Sequence, residues 1–394
     1  MRIGIDGSRA FIKQRTGIEE YSYQVIKNLV NKLADHQVTL YVRKKQKIDF
    51  DLPKNWRVAI IGCPRLWTQV GLSLEMLFWP VNVLFIPAHT VPLIHPKKTI
   101  VTIHGLEYEV MPEAYSAWAR FYMRLSIKNS CRWAQKIISV SRNTKQDLIS
   151  LYKVPEEKIQ VIYEGYDRSP VIASEDVNEN SHRSAAISTQ QSTKQNSDIS
   201  ELKNEIATGA PLPRNDMKPY LLFIGRLEER KNILGIIKSF EILKEKYNIP
   251  HKLVLAGNGG FGFAHIELAI GMSKYKDEII QLGFVKDEDK FELISGAEVF
   301  MFPTFYEGFG IPVLEAQSVG VPVVTSNTSS MPEVAGDSAI LVDPREPEFI
   351  AERTYEVISN KDLRDDIIQK GYENVKRFSW EECAVQIAEV LTEK

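Results

Sequence analysis

Twelve short runs of β-branched and aliphatic residues punctuate the chain, and the stretches between them carry a helical period. Seven precede Gly165: RIGI, VTLYV, RVAII, VNVLFI, KTIVTI, KIISV and KIQVI. Five follow Met217: YLLFIG, KLVLAG, EIIQLG, AEVFMF and VPVVTS. Most are apolar without a break rather than alternating, as expected of parallel strands covered by helices on both faces. Ile233, Ile236, Ile237 and Phe240, at i, i+3, i+4 and i+7, line one face of such a covering helix. The expected fold class is α/β, with two doubly wound domains.

The boundary between them lies where composition changes. From Asp167 to Met217 there is no aromatic residue, and Ser, Asn, Gln and Thr dominate. Such a stretch cannot bury enough apolar surface to offset the entropy of ordering it. It reads as a flexible insertion over 169–217, with a short helix in DISELKNEI. One domain is then expected over 1–168 and the other over 218–376, with a closing helix at about 377–394 packing back on the first.

Charge excludes one class of function. Lys plus Arg (49) nearly balance Asp plus Glu (51), which leaves no basic excess for coating nucleic acid. Cys63, Cys131 and Cys383 are scattered and odd in number, fitting neither a disulfide framework nor a metal-ligand spacing, so a reducing, cytoplasmic setting is expected. The N-terminus enters a strand-like run at once, with no leader pattern ahead of it. Val70 to Ile94 has the length of a membrane span, but Glu75, Pro80, Asn82, Pro87 and His89 interrupt it. It reads instead as a helix ending near Trp79 followed by a buried strand.

The richest segment is FPTFYEGFGIPVLEAQSVGVPVV, from Phe302 to Val324. Pro312 suits the first turn of a helix over 311–319, and Gly320 suits its stop. Glu307 then lies in the loop beyond a strand, and Glu315 about one turn into the following helix. Gly308 and Gly310 leave amides bare at a helix N-terminus, a natural anion site. A carboxylate beside a bound phosphate makes sense where it accepts hydrogen bonds from neutral groups such as sugar hydroxyls. FIGRLEERKN places Arg226 and Lys231 between another strand and helix, as cations that can clamp a diphosphate.

These motifs resemble the retaining glycosyltransferases of family 4, whose signature is an E-x7-E pair in an EGFG…LEA setting. The likeness extends to GFVKDEDKFELISGAEVFMFP, to the glycine turn AGNGGFG, and more loosely to TGIEEY, VTIHGLEYEVMPE and VSRNTKQDL in the first half. It implies a GT-B fold, two Rossmann-like domains facing across a cleft. It also implies a nucleotide-diphosphate sugar as donor, a hexose as the group moved, and a saccharide or lipid-linked acceptor in cell-surface polysaccharide synthesis. Arg226 and Lys231 would hold the diphosphate with the amides of Gly308, Phe309 and Gly310. Glu315 would take the ribose hydroxyls, Glu307 those of the sugar, and the backbone of Phe284 and Val285 the base. Gly17 matches a loop approaching the phosphates, and His104 a histidine beside the transferred sugar. Many relatives carry paired glycines and a His-Asp pair at these two places; here Thr16 precedes Gly17 and Gly105 follows His104. No cofactor and no metal are expected.

AGNGGFG satisfies G-x-G-x-x-G at Gly257, Gly259 and Gly262, but it is not on the first strand of its domain and reads as a structural turn. The D-x-D triplets at Asp49–Asp51 and Asp287–Asp289 read as a polar loop and an acidic helix start. A GT-B epimerase or phosphorylase is the near alternative, and a non-catalytic nucleotide-sugar-binding module the distant one.

Trp118 to Lys136 carries Arg120, Arg124, Lys128, Arg132 and Lys136, each four apart, a slanting stripe that drifts about 40° per step. Trp118, Phe121, Tyr122 and Leu125 share an adjacent face. Two readings stay open. The stripe makes a weak contact with an anionic membrane, placing the protein peripherally at its inner face. Alternatively the aromatic face packs on the first sheet and the cations are solvated, which the near-neutral charge favours.

Overall fold

The computed structural model describes residues 1–12, 15–44, 46–63, 65–166 and 219–393; the polar insertion and the short helix expected within it lie outside them. The chain forms two compact units. One comprises Met1–Tyr166, Tyr306–Ile311 and Arg377–Lys394, the other Asp167–Phe305 and Pro312–Lys376.

The first unit holds seven parallel strands: β1 (Arg2–Asp6), β2 (Gln37–Arg43), β3 (Trp56–Ile61), β4 (Val83–Ile86), β5 (Lys98–Ile103), β6 (Lys136–Ser139) and β7 (Ile159–Val161). Their order is β3-β2-β1-β4-β5-β6-β7. The second unit holds β8 (Tyr220–Ile224), β9 (Lys252–Ala256), β10 (Ile279–Gly283), β11 (Val299–Phe302), β12 (Val323–Ser326) and β13 (Ile340–Val342), in the order β10-β9-β8-β11-β12-β13. All twelve expected runs are strands. The thirteenth, β13, was not among them. Both sheets reverse strand order beside their first strand, the doubly wound arrangement.

The central strands are buried on both faces, as their unbroken apolar runs require. The exception is the edge strand β3, whose Val58 and Ile60 are exposed. Within Met1–Tyr166 the helices are α1 (Gly17–Lys32), α2 (Ser73–Phe78), α3 (Glu107–Val110), α4 (Ala117–Trp133) and α5 (Arg142–Tyr152). A π-helical turn, Trp67–Leu72, leads into α2. The apolar stretch after Val70 is thus a helix ending at Phe78 and then β4, and no helix among the described residues is long and apolar enough to cross a membrane.

The helix Trp380–Thr392 lies on α1, with Lys32 and Glu381 paired at 2.8 Å. Ser379 caps it by accepting from the Glu381 and Glu382 amides, and those two acids suit the positive end of the helix dipole. Trp380, Cys383, Ala384, Ile387 and Leu391 form its buried face. In α4 the packing differs from the second reading above. Trp118, Phe121, Tyr122 and Leu125 are all exposed, and the buried face is instead Ile127, Ser130 and Cys131.

Candidate active site

In the second unit β8 lies between β9 and β11, so chain leaving β8 and chain leaving β11 part at the carboxyl edge of the sheet. Open α/β sheets bind ligands at such a switch point. Arg226 follows β8 and is mostly exposed, its Nε 4.0 Å from Glu228 Oε2. Lys231 is buried, with its ammonium 5.0 Å from the ring centroid of Phe302 at the end of β11. Asn232 fixes this lysine. It adopts the left-handed conformation (φ 58°), and its Nδ2 donates to the carbonyls of Pro303 (2.9 Å) and Pro344 (2.6 Å). The start of the helix Ile233–Tyr247 is thereby tied to the end of β11.

The glycine turn after β9 is a close-approach device. A Cβ at Gly257, where φ is +142°, would lie 1.9 Å from the carbonyl oxygen of Gly225. The Leu227 amide donates to Asn258 O at 2.9 Å and the Gly260 amide to Leu227 O at 2.8 Å, so this turn shapes the loop that carries Arg226. Phe284 and Val285 follow β10. The Phe284 ring is about half exposed, while Val285 packs partly on the core.

Glu315 lies in the helix Ile311–Ser318 and is buried. Lys290, on the helix Asp287–Ser295, donates to its Oε1 at 2.6 Å. A carboxylate held from one side by an ammonium has acceptor capacity left for hydroxyls.

The first unit gathers its polar residues at the carboxyl edge of its own sheet. Gly17 opens α1 behind Thr16, whose hydroxyl donates to Glu19, and Arg9 holds the other oxygen of Glu19 at 3.0 Å. A Cβ at Gly17 would meet no protein atom within 4 Å, so packing does not require glycine there. His104 follows β5 and is buried. Its Nδ1 lies 3.1 Å from Glu164 Oε1 and its Nε2 2.8 Å from Pro87 O. Tyr21 meets the imidazole edge-on at 4.5 Å and His89 at 5.3 Å. Burial first, then His104 and Arg9, pushes the His89 imidazole down to about 3.

Residues Tyr306–Ile311 complete this unit. The Tyr306 hydroxyl donates to Asp147 Oδ2 (2.7 Å) and accepts from the Leu106 amide (3.1 Å). Ser141, the N-cap of α5, donates to Gly308 O at 2.7 Å. The Phe309 ring packs against Tyr163 and Phe378. Gly308 sits so close to β5 that a Cβ there would fall 1.6 Å from His104 O.

The expected residues therefore fall into two sets. Arg226, Lys231, Phe284, Val285 and Glu315 line the carboxyl edge of the second sheet. Gly17, His104, Glu307, Gly308, Phe309 and Gly310 belong to the first unit. Sequence reasoning missed Lys290, Asn232, Glu164, Ser141, Asp147 and Tyr306. Tyr306 adjoins Glu307 and Asn232 adjoins Lys231, while Lys290, Ser141 and Asp147 lie inside quoted motifs; the contacts that give them a role are distant in sequence. Among the described residues no group of three or more His, Cys, Asp or Glu side chains could hold a metal ion.

Two sheets of this order thus carry cations, close-packed glycines and buried acids at their carboxyl edges. Residues 207–374 match the family model of glycosyl transferases group 1, and residues 15–169 that of Glycosyltransferase Family 4. The chain belongs to the group 1 glycosyltransferases and has their GT-B architecture. It is 29% identical over 290 residues to an O-antigen chain mannosyltransferase B of Escherichia coli, covering 74% of this chain and 69% of that one. Its fold is similar to that of WaaG, a glycosyltransferase involved in lipopolysaccharide biosynthesis (TM-score 0.69, 14% identity, all of both chains). It is also similar to Anabaena HepE in complex with UDP and glucose (TM-score 0.67, 16% identity, all of both chains).

Proposed function

We propose that the protein moves a hexose, mannose before others, from a nucleotide-diphosphate donor to a saccharide or lipid-linked acceptor of a cell-surface polysaccharide. Transfer retains anomeric configuration and uses no metal. The observation that carries this reading is the buried Glu315, held by Lys290 near the switch point that Arg226 and Lys231 also border. Cations at that place offset the charge that grows on the departing diphosphate, and the fixed carboxylate accepts ribose hydroxyls. Glu307 accepts hydroxyls of the sugar, beside the amides of Gly308, Phe309 and Gly310. Gly17 gives the phosphates a close approach, His104 flanks the sugar, and Phe284 and Val285 offer backbone to the base. The mannose preference rests on the name of the 29%-identical relative, and the nucleotide-diphosphate donor gains support from the HepE complex.

The enzyme works in the cytoplasm. The exposed Trp118, Phe121, Tyr122 and Leu125 of α4, beside Lys128 and Arg132, give it a weak contact with anionic lipid. Thermal unfolding with GDP-, UDP- and ADP-sugars tests the donor, since a ligand that binds only the folded state raises the midpoint. GDP-mannose is expected to give the largest shift, reduced in Glu315→Gln, and product NMR should report the donor's anomeric configuration. No shift with any nucleotide sugar, or an inverted product, overturns the reading.

A further inference from the structure

His89 and His104 stand side by side at the carboxyl edge of the first sheet, their rings 5.3 Å apart, and they differ in what their nitrogens can still do. His104 is buried, and the protein takes up both its nitrogens, Nδ1 at Glu164 Oε1 and Nε2 at Pro87 O. His89 is only partly buried and makes no hydrogen bond among the described residues. Its Nδ1 is enclosed without a partner, whereas its Nε2 also lacks a partner but is not enclosed. One ring nitrogen is therefore left for a group from outside, and it belongs to His89.

The place of His89 in the fold also suits a ligand contact. It follows β4, and β1 and β4 are the neighbours at which the order of the first sheet reverses. From the β1 side the chain brings Asp6, Ser8 and Arg9. Asp6 is buried and accepts from the Ser8 amide at 2.9 Å, and Arg9 is paired with Glu19 at 3.0 Å. Burial, then His104 and Arg9, keeps the His89 ring neutral near neutral pH, so it carries one proton. An enclosed N–H without an acceptor is tolerated less than an unmatched lone pair. The proton accordingly sits on Nε2, the nitrogen that is not enclosed. His89 is thus an uncharged N–H donor, suited to a sugar oxygen and without the charge to hold a phosphate.

We propose that His89 is a sugar-contacting residue of the first unit, its Nε2–H donating to a hydroxyl oxygen of the hexose being transferred. This rests on the reading above that the first unit flanks that sugar, and it moves the direct imidazole contact from His104 to His89. The His104 ring is then a positioning group. Its bond to Pro87 O fixes the chain two residues before His89.

Calorimetric titration of the full chain with GDP and GDP-mannose, and with UDP and UDP-glucose, tests this, because each pair differs by its hexose. His89→Ala should weaken the nucleotide sugar about tenfold, the loss of one hydrogen bond, and leave its bare nucleotide unchanged. His89→Gln, whose amide nitrogen reaches the place of Nε2, should recover most of that loss. Adding His104→Ala to His89→Ala should cost little further sugar affinity, since His104 acts through His89. Nitrogen NMR of labelled histidines should find the His89 proton on Nε2. Nucleotide-sugar binding unchanged in His89→Ala overturns the contact, and the unchanged bare nucleotide leaves the diphosphate clamp standing. Equal losses with sugar and bare nucleotide, additive losses in the double variant, or a proton on Nδ1 overturn it as well. A wild type that binds none of the four ligands overturns this contact and the donor reading together.

Discussion

Replacing Gly308 with alanine is the sharpest test of how the Glu307 loop is held. The added Cβ would sit 1.6 Å from the carbonyl oxygen of His104, and carbon and oxygen do not approach within 3.0 Å. The loop must therefore move by well over 1 Å. That displacement breaks the 2.7 Å bond from Ser141 Oγ to Gly308 O and carries Glu307 with it. A lost buried hydrogen bond costs about 1–3 kcal/mol, so the variant should fold with a lowered melting temperature. Misplacing a group by about 1 Å costs roughly 100-fold in rate, so kcat should fall by about that factor. Donor affinity should fall as well, since Glu307 and the Gly308–Gly310 amides are proposed to meet the donor, but by less than kcat, because Glu315, Lys290 and Lys231 belong to the other unit. Gly17→Ala is the control for added bulk, since its Cβ meets nothing and stability should be unchanged. Initial rates against donor concentration, calorimetric donor titration and thermal unfolding give the three quantities. A folded Gly308→Ala enzyme with kcat within about threefold of wild type would refute this account of the loop.

Lys290→Met should leave Glu315 buried without its ammonium, weakening nucleotide binding by about tenfold or more, while Glu315→Gln with Lys290→Met recovers stability but not affinity; calorimetry reads both. Arg226→Ala and Lys231→Ala should lower kcat more than donor affinity, because charge on the diphosphate grows in the transition state. Activity should also survive EDTA; dependence on added Mg²⁺ or Mn²⁺ would remove these cations from that role. His89 has a folded-state value lowered to about 3, so the folded protein resists a proton that the unfolded chain accepts. Its contribution is present above about pH 6.5 and is lost, by at most about 1.4 kcal/mol per pH unit, as pH falls toward 3. Urea unfolding of His89→Gln should accordingly show a flatter acid limb, and an unchanged one would deny the shift.

Secondary structure was readable because unbroken apolar runs and helical spacing are local signals. All twelve runs proved to be strands, and the helix after Gly310 begins and ends where Pro312 and Gly320 suggested. Glu307, Glu315, Arg226 and Lys231 stood out because glycines, a proline and strand ends frame them. What stayed hidden was reciprocity. Lys290 is 25 residues from Glu315, Glu164 is 60 from His104, and Asp147 is 159 from Tyr306. The second lysine in KDEDKFE looks like any solvated helical charge until the fold turns it toward a buried acid. The aromatic residues of α4 illustrate the opposite failure. Their spacing gave an apolar face, but the depth at which the helix sits depends on Ser126 and Ser130 meeting the segment at Thr90 and Val91.

The three-part make-up of the first unit bears on how the chain matures during translation. Its seven strands are complete by Val161, yet the helix covering α1 is synthesised only after the entire second sheet. Until then Tyr21 lacks the ring of Trp380 beside it, and the pocket at Gly165 that receives the Trp380 backbone stays empty. A nascent chain paused after Val375 therefore exposes apolar surface on an otherwise assembled sheet, the state that holdase chaperones and proteases recognise. Emergence of the helix Trp380–Thr392 closes that window by covering α1.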